Sequence, residues 1–152
     1  MTATPRPGVL AAAGLAAAVL LAGCAGRTGG GTFEAASGAA PTRRFTTIGT
    51  LATSATRMDI RMMVQVRQQL QKAGVNAVKV SGRFGTVADA VVQLCASGAE
   101  QPVDGILTVA YNELVLFDCD THKPAYQIHS GSLGLPNLTS RLIRYLKAKP
   151  ES

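Results

Sequence analysis

The stretch VDGILTVAYNELVLFDCDTHKPAYQIHS (Val103–Ser130) decides the fold. DGILTVA is a nearly continuous apolar run, the pattern of a strand buried on both faces. NELVLFDC alternates, so Val115, Phe117 and Cys119 fall on one side of a strand, and Leu114, Leu116 and Asp118 on the other. PAYQIHS alternates as well, with Tyr126 and Ile128 facing together. Between the last two, CDTHKP reads as a polar turn, and Pro124 opens the next strand where its missing donor does least harm. Three strands joined by such short links pair as antiparallel hairpins.

Upstream, the pattern changes period. RFTTIGTLAT (Arg44–Thr53) has the threonine, isoleucine and phenylalanine content of a strand. A helix is expected from Thr56, where Thr56-x-x-Asp59 has the form of a capping box. Ile60, Met63, Val66 and Leu70 form its apolar stripe, Arg61, Gln65, Gln68 and Lys72 its opposite face, and Gly74 its stop. VNAVKVSG (Val75–Gly82) is a second short strand. A second Thr-x-x-Asp pair, Thr86 and Asp89, opens a helix with Val87, Val91, Leu94 and Cys95 on one face and Gly98 as its stop.

Downstream, a helix over 136–149 begins with Pro136 in its first turn and buries Leu138, Leu142, Tyr145 and Leu146. Arg141, Arg144, Lys147 and Lys149 complement its dipole at the far end. These charges read as a solvated helix end, with a membrane-facing basic patch as the alternative. The order βαβαβββα combines a parallel crossover with antiparallel hairpins. The expected fold is therefore one small α/β (α+β) domain over 43–149, a mixed sheet of about five strands with helices packed on it, and a tail at 150–152.

This order, with VDGILTV, ELVLFDCDTHKPAY and the closing helix, resembles an α/β domain of envelope proteins. It is similar to the amino-terminal domain of TolB and to lipoproteins that activate penicillin-binding proteins or secrete curli. Asp104, Asp118 and Thr121 stand at places comparable to that group's pattern. The resemblance implies a non-enzymatic binding or assembly module.

The first 23 residues have another composition. Arg6 and the amino terminus give a weakly positive start, and Val9–Leu21 is an apolar core too short to span a bilayer comfortably, closed by small residues. LAGC (Leu21, Ala22, Gly23, Cys24) resembles the lipobox of bacterial lipoproteins. That resemblance implies cleavage before Cys24, a thioether lipid on its sulfur and acylation of the new amino terminus, hence a membrane anchor of several acyl chains. Ala25 after the cysteine implies outer-membrane delivery, with the domain on the periplasmic side. Residues 25–42 (AGRTGGGTFEAASGAAPT) read as a tether, 18 residues with a root-mean-square reach of roughly 25 Å.

The net charge is +6. Only Arg6 precedes Cys24, so the remainder carries fourteen basic against nine acidic residues. Scattered as they are, these charges read as solubility, and the envelope address excludes a nucleic-acid partner.

With Cys24 taken by lipid, Cys95 and Cys119 are an even pair in an oxidising compartment and are expected to bond. Closing a loop of about 25 residues contributes roughly 3 kcal/mol in the chain-entropy model. Two packed free thiols are the alternative.

Asp118, Cys119, Asp120 and His122, with His129 on the next strand, invite a metal reading in which Asp120, His122 and His129 are the candidate ligands. Adjacent strand residues point to opposite sides, however, and structural-zinc spacing is missing. HSGSLG (His129–Gly134) places serines beside a histidine, and Asp104 with Glu113 is a candidate carboxylate pair. No nucleophile elbow or phosphate loop accompanies them.

The expectation is thus a lipid-anchored, non-enzymatic module that binds an envelope protein, with no cofactor. The alternatives are a metal-binding protein or enzyme centred on the Asp118–His129 hairpin, and a small-molecule binder using a groove between the sheet and the first helix.

Overall fold

The computed structural model describes residues 32–36, 40–96, 102–130 and 134–150. Its elements are β1 (Thr32–Ala36), β2 (Thr47–Ala52), α1 (Arg57–Lys72), β3 (Asn76–Lys79), α2 (Val87–Cys95), β4 (Gly105–Ala110), β5 (Glu113–Asp118), β6 (Pro124–Ser130) and α3 (Leu135–Lys147). The five expected strands and three helices form in the order βαβαβββα. A sixth strand, β1, precedes them and corrects the reading of 25–42 as tether throughout. It pairs antiparallel with β6, from Thr32 opposite Ser130 to Ala36 opposite Tyr126.

The sheet order is β1-β6-β5-β4-β2-β3. β2 lies parallel to both β3 and β4, while β4, β5 and β6 run as antiparallel hairpins. The β5–β6 connection carries a register irregularity near Leu116 and Phe117 and places His122 at φ 55°. The signal segment, Cys24, Gly98, residues 131–133 of HSGSLG and the last two residues lie outside the described residues. Among the described residues, no helix is long and apolar enough to cross a membrane.

The caps form where the sequence places them. The Thr56 hydroxyl accepts from the Asp59 amide at 3.2 Å, and the Thr86 hydroxyl from the Asp89 amide at 3.1 Å. Gly74, at φ 82°, follows the Ala73 cap of α1, a conformation that a side chain would strain.

α1 and α3 pack together on one face of the sheet. Met63, Val66 and Leu70 of α1 and Leu138, Leu142 and Tyr145 of α3 are buried there with Leu107, Leu114, Leu116, Tyr126 and Ile128. The Tyr145 ring stacks on Tyr126 at 4.7 Å, and its hydroxyl donates to the Ala125 carbonyl at 3.2 Å. Ile60, expected in the same stripe, is 43% exposed because it lies in the first turn, beyond the edge of the sheet. The shorter α2 packs on β4 from the opposite side, where Ala90, Val91 and Ile106 are buried. Alternation in β5 leaves Glu113, Val115 and Phe117 half-buried on that side, while Leu114, Leu116 and Asp118 are buried on the first.

The sheet therefore has two distinct ends. One holds the carboxyl ends of β2, β3 and β4, the β4–β5 turn at Tyr111, and the starts of all three helices. The other holds Asp104, Asp118, the β5–β6 turn and the helix ends.

Candidate functional site

Asp104, Asp118, Asp120 and His122, four of the polar residues that the sequence singles out, gather at the second of these ends, around a residue it does not mark. Arg43 approaches from the segment before β2. Its Nη2 donates to the Asp104 carbonyl at 2.6 Å and lies 3.4 Å from Asp118 Oδ1, while Nη1 engages the Asp120 carboxylate. Its guanidinium sits 5.5 Å from the centroid of the Phe45 ring. Phe45 in turn covers Gly105, where an added Cβ would meet the ring at 2.9 Å and the Phe117 carbonyl oxygen at 3.0 Å. Glycine at this position lets the aromatic ring close over the strand.

Asp104 ties the same region from the other side. Its carboxylate accepts from the Thr46 amide at 2.6 Å, from the Thr47 amide at 3.0 Å and from the Thr46 hydroxyl. Burial pushes its pKa up, but these hydrogen bonds and the Arg43 charge outweigh burial and hold the carboxyl below its usual 3.8. Asp118, only 6% exposed, accepts from the Asp120 amide at 2.7 Å and so shapes the β5–β6 turn. The Cys119 amide donates to the Asp104 carbonyl at 3.0 Å. Burial, followed by the charge of Asp118, raises the pKa of Tyr145.

Cys95 and Cys119 lie in disulfide geometry, Cα–Cα 5.1 Å, so the end of α2 is fastened to the end of β5. The sequence expectation of this pair stands. Its position explains why so short a helix stays on its face: α2 has only Ala90 and Val91 fully buried.

The candidate metal ligands do not converge. His129 stands opposite Glu113 at the start of β5, whereas Asp120 and His122 follow the end of that strand. Five residue steps of strand, roughly 17 Å, separate the two ends. The hairpin register overturns the grouping of Asp120, His122 and His129 on one centre. Among the described residues, no three His, Cys, Asp or Glu side chains are grouped to hold a metal ion. The pair Asp104 and Glu113 fails on the same ground, because they lie at opposite ends of the β4–β5 hairpin. Glu113 instead accepts from the Gln127 side-chain amide at 2.6 Å. What remains of the hairpin is a clamp: its carboxylates hold the starts of β2 and β4 and the β5–β6 turn together.

At the opposite end, a groove of about 570 Å³ runs between the start of α1 and the β3–α2 loop, lined by Leu51, Ile60, Met63, Val80, Phe84 and Val87. This is the place of the groove expected between the sheet and the first helix. Asp59 and Asp89 sit in the first turns of the two helices that border it. These carboxylates already occupy the positive ends of the dipoles.

No family model matches the chain, and no curated protein matches it. Solved structures do. The PelC dodecamer from Paraburkholderia phytofirmans is 12% identical, with a TM-score of 0.43, over 77% of this chain and 94% of that one. A point variant of the PelC dodecamer from the same organism is 13% identical, with a TM-score of 0.43 and the same coverage. Histidyl-tRNA synthetase from Nostoc sp. PCC 7120 is 13% identical, with a TM-score of 0.44, over 67% of this chain and 23% of that one.

Proposed function

We propose that this protein is a lipid-anchored envelope lipoprotein whose domain is a non-enzymatic module for binding another envelope protein. LAGC supports the anchor at Cys24, and the Cys95–Cys119 pair supports an oxidising compartment such as the periplasm. The observation that carries the binding role is the uneven cover of the sheet. α1 and α3 fill one face, whereas on the other α2 packs on β4, and Val115, Phe117, Gln127 and His129 are left half-buried on β5 and β6. Apolar and hydrogen-bonding groups side by side on a rigid strand pair suit a protein partner. The carboxylates of the Asp118 hairpin are engaged in holding the fold, which weighs against chemistry there.

The test is photocrosslinking in the native envelope, with the crosslinker placed at Val115 or His129 and, as a control, at Lys72 on the outer side of α1. The expected result is a discrete protein adduct from the two sheet positions alone. Stoichiometric metal in the purified chain together with no adduct at either sheet position would favour the metal-binding alternative.

A further inference from the structure

The strand β1 changes where the anchor pulls. Thr32 pairs with Ser130, at the same end of the sheet as the Tyr111 turn and the helix starts. Only eight residue steps separate Cys24 from Thr32. Eight steps of chain span at most about 29 Å. The strands themselves run about 20 Å, so bringing the opposite end to the bilayer would use up most of that span, whereas the Thr32 end needs little of it.

The end nearest the anchor also exposes apolar side chains. Among the described residues, the exposed large hydrophobics are Met58 (59%), Ile60 (43%), Val92 (51%) and Tyr111 (63%). Three of these four, all but Val92, stand at this one end, in the first turn of α1 and the β4–β5 turn. Arg57, Lys79 and Arg83 are exposed near them and form no ion pair with a described residue. The carboxylates of this end accept hydrogen bonds from neutral groups, Asp59 from Ser54, Asp89 from Thr86 and Glu113 from Gln127, and keep their charge, so the apolar side chains rather than net charge carry the contact. At the other end the exposed side chains are polar and charged, among them Arg44, Lys123 and Lys147.

We propose that the end of the domain bearing Met58, Ile60 and Tyr111 docks on the bilayer that holds the anchor. This rests on the reading of Cys24 as lipidated. Met58 and Tyr111 enter the headgroup region, and Arg57, Lys79 and Arg83 reach lipid phosphates from its rim with their stems along the apolar surface. A weak surface suffices, because the anchor supplies a high local concentration of membrane. The domain then stands with its strands running away from the membrane surface. Its disulfide end points away, and the half-buried face of β5 and β6 remains open to a partner.

The chain contains no tryptophan, so single tryptophans report without background. Met58→Trp, Tyr111→Trp and Lys147→Trp variants of the full chain are purified from membranes, checked by intact mass for lipid on Cys24, and reconstituted in vesicles with and without brominated lipid. The proposal expects at least twofold quenching at positions 58 and 111 and none at 147. Lipidated protein with equal quenching at the three positions, or with quenching at 147 alone, overturns the docking and leaves the anchor standing. An unmodified Cys24 overturns the anchor and the docking together. Far-ultraviolet circular dichroism of each variant confirms that the fold is retained.

Discussion

The two ends of this sheet are built from the same strands by opposite means. At the disulfide end, Arg43 engages the Asp118 and Asp120 carboxylates and the Asp104 carbonyl, with its buried Nε left without a hydrogen-bond partner, and a covalent bond fastens α2. At the helix-start end, the strands run out into short turns with Met58, Ile60 and Tyr111 in solvent, the Thr56 and Thr86 hydroxyls cap the helices, and the Asp59, Asp89 and Glu113 carboxylates accept from neutral side chains. Polar residues crowded on a hairpin look like chemistry, yet here they are the part of the molecule with least left to offer. Exposed apolar residues look like ordinary variation, yet their gathering at the anchored end is what points to a contact.

The largest expected effect comes from removing the fastening. Replacing Cys95 and Cys119 together by serine should lower stability by roughly 3 kcal/mol, read as a loss of denaturation midpoint. Hydrogen exchange should then rise first in α2, which has little else to hold it. If α2 exchanges no faster than α1 in the double variant, the disulfide is not what keeps it in place.

Next comes the ionic hub. Arg43→Met leaves the buried Asp118 carboxylate without its cation and should cost about 1–3 kcal/mol. The cost should appear as loosening of the β5–β6 turn, measurable as faster exchange at the His122 amide, which donates to the Asp118 carbonyl at 2.7 Å. An Arg43→Met protein as stable as the parent would mean that the clamp is surface decoration.

A smaller effect depends on pH. The Asp104 carboxyl is held below its ordinary 3.8, so its contribution is fully present above that value and is lost as pH falls through the lower folded value. The difference in unfolding free energy between the parent and Asp104→Asn should therefore be constant from pH 5 to 7 and shrink in strongly acidic solution. A difference that grows on acidification would reverse the sign.

The smallest effect on stability belongs to the other end. Tyr111→Ser, at a solvent-exposed turn, should change stability by no more than about 0.5 kcal/mol. It should still weaken association of the domain with the bilayer in the lipidated chain, read as less brominated-lipid quenching in the Met58→Trp background. Loss of stability without any change in association would make Tyr111 a structural residue.

Much of this architecture is legible in the sequence, because alternation and capping are local. The strands from Thr47 to Ser130, the Thr56 and Thr86 caps and the buried stripe of α3 follow from periods of two and 3.6 residues. The Cys95–Cys119 pairing follows from placing each thiol on the inner face of its element. β1 is hidden, since glycine and alanine surround it and its stabilising partner, β6, is about a hundred residues away in the chain. Arg43 is equally invisible, as nothing before a strand announces a cation that bridges the Asp104 carbonyl and the distant carboxylates of Asp118 and Asp120. The separation of His129 from His122 depends on register, which a list of nearby residue types does not contain. Ile60 fits the helical stripe and still emerges into solvent, because the stripe continues past the edge of the sheet beneath it.

The contrast between the ends is tested most directly by hydrogen exchange on the lipidated chain in vesicles, compared with a chain beginning at residue 32 free in solution. The Arg57 and Met58 amides are first-turn donors without an intrahelical partner, so they report their surroundings rather than helix stability. Slower exchange is expected at Arg57, Met58, Tyr111 and Asn112 on the vesicle, with Thr121 at the opposite end unchanged. Protection at Thr121, or equal exchange at both ends in the two states, would contradict that contrast.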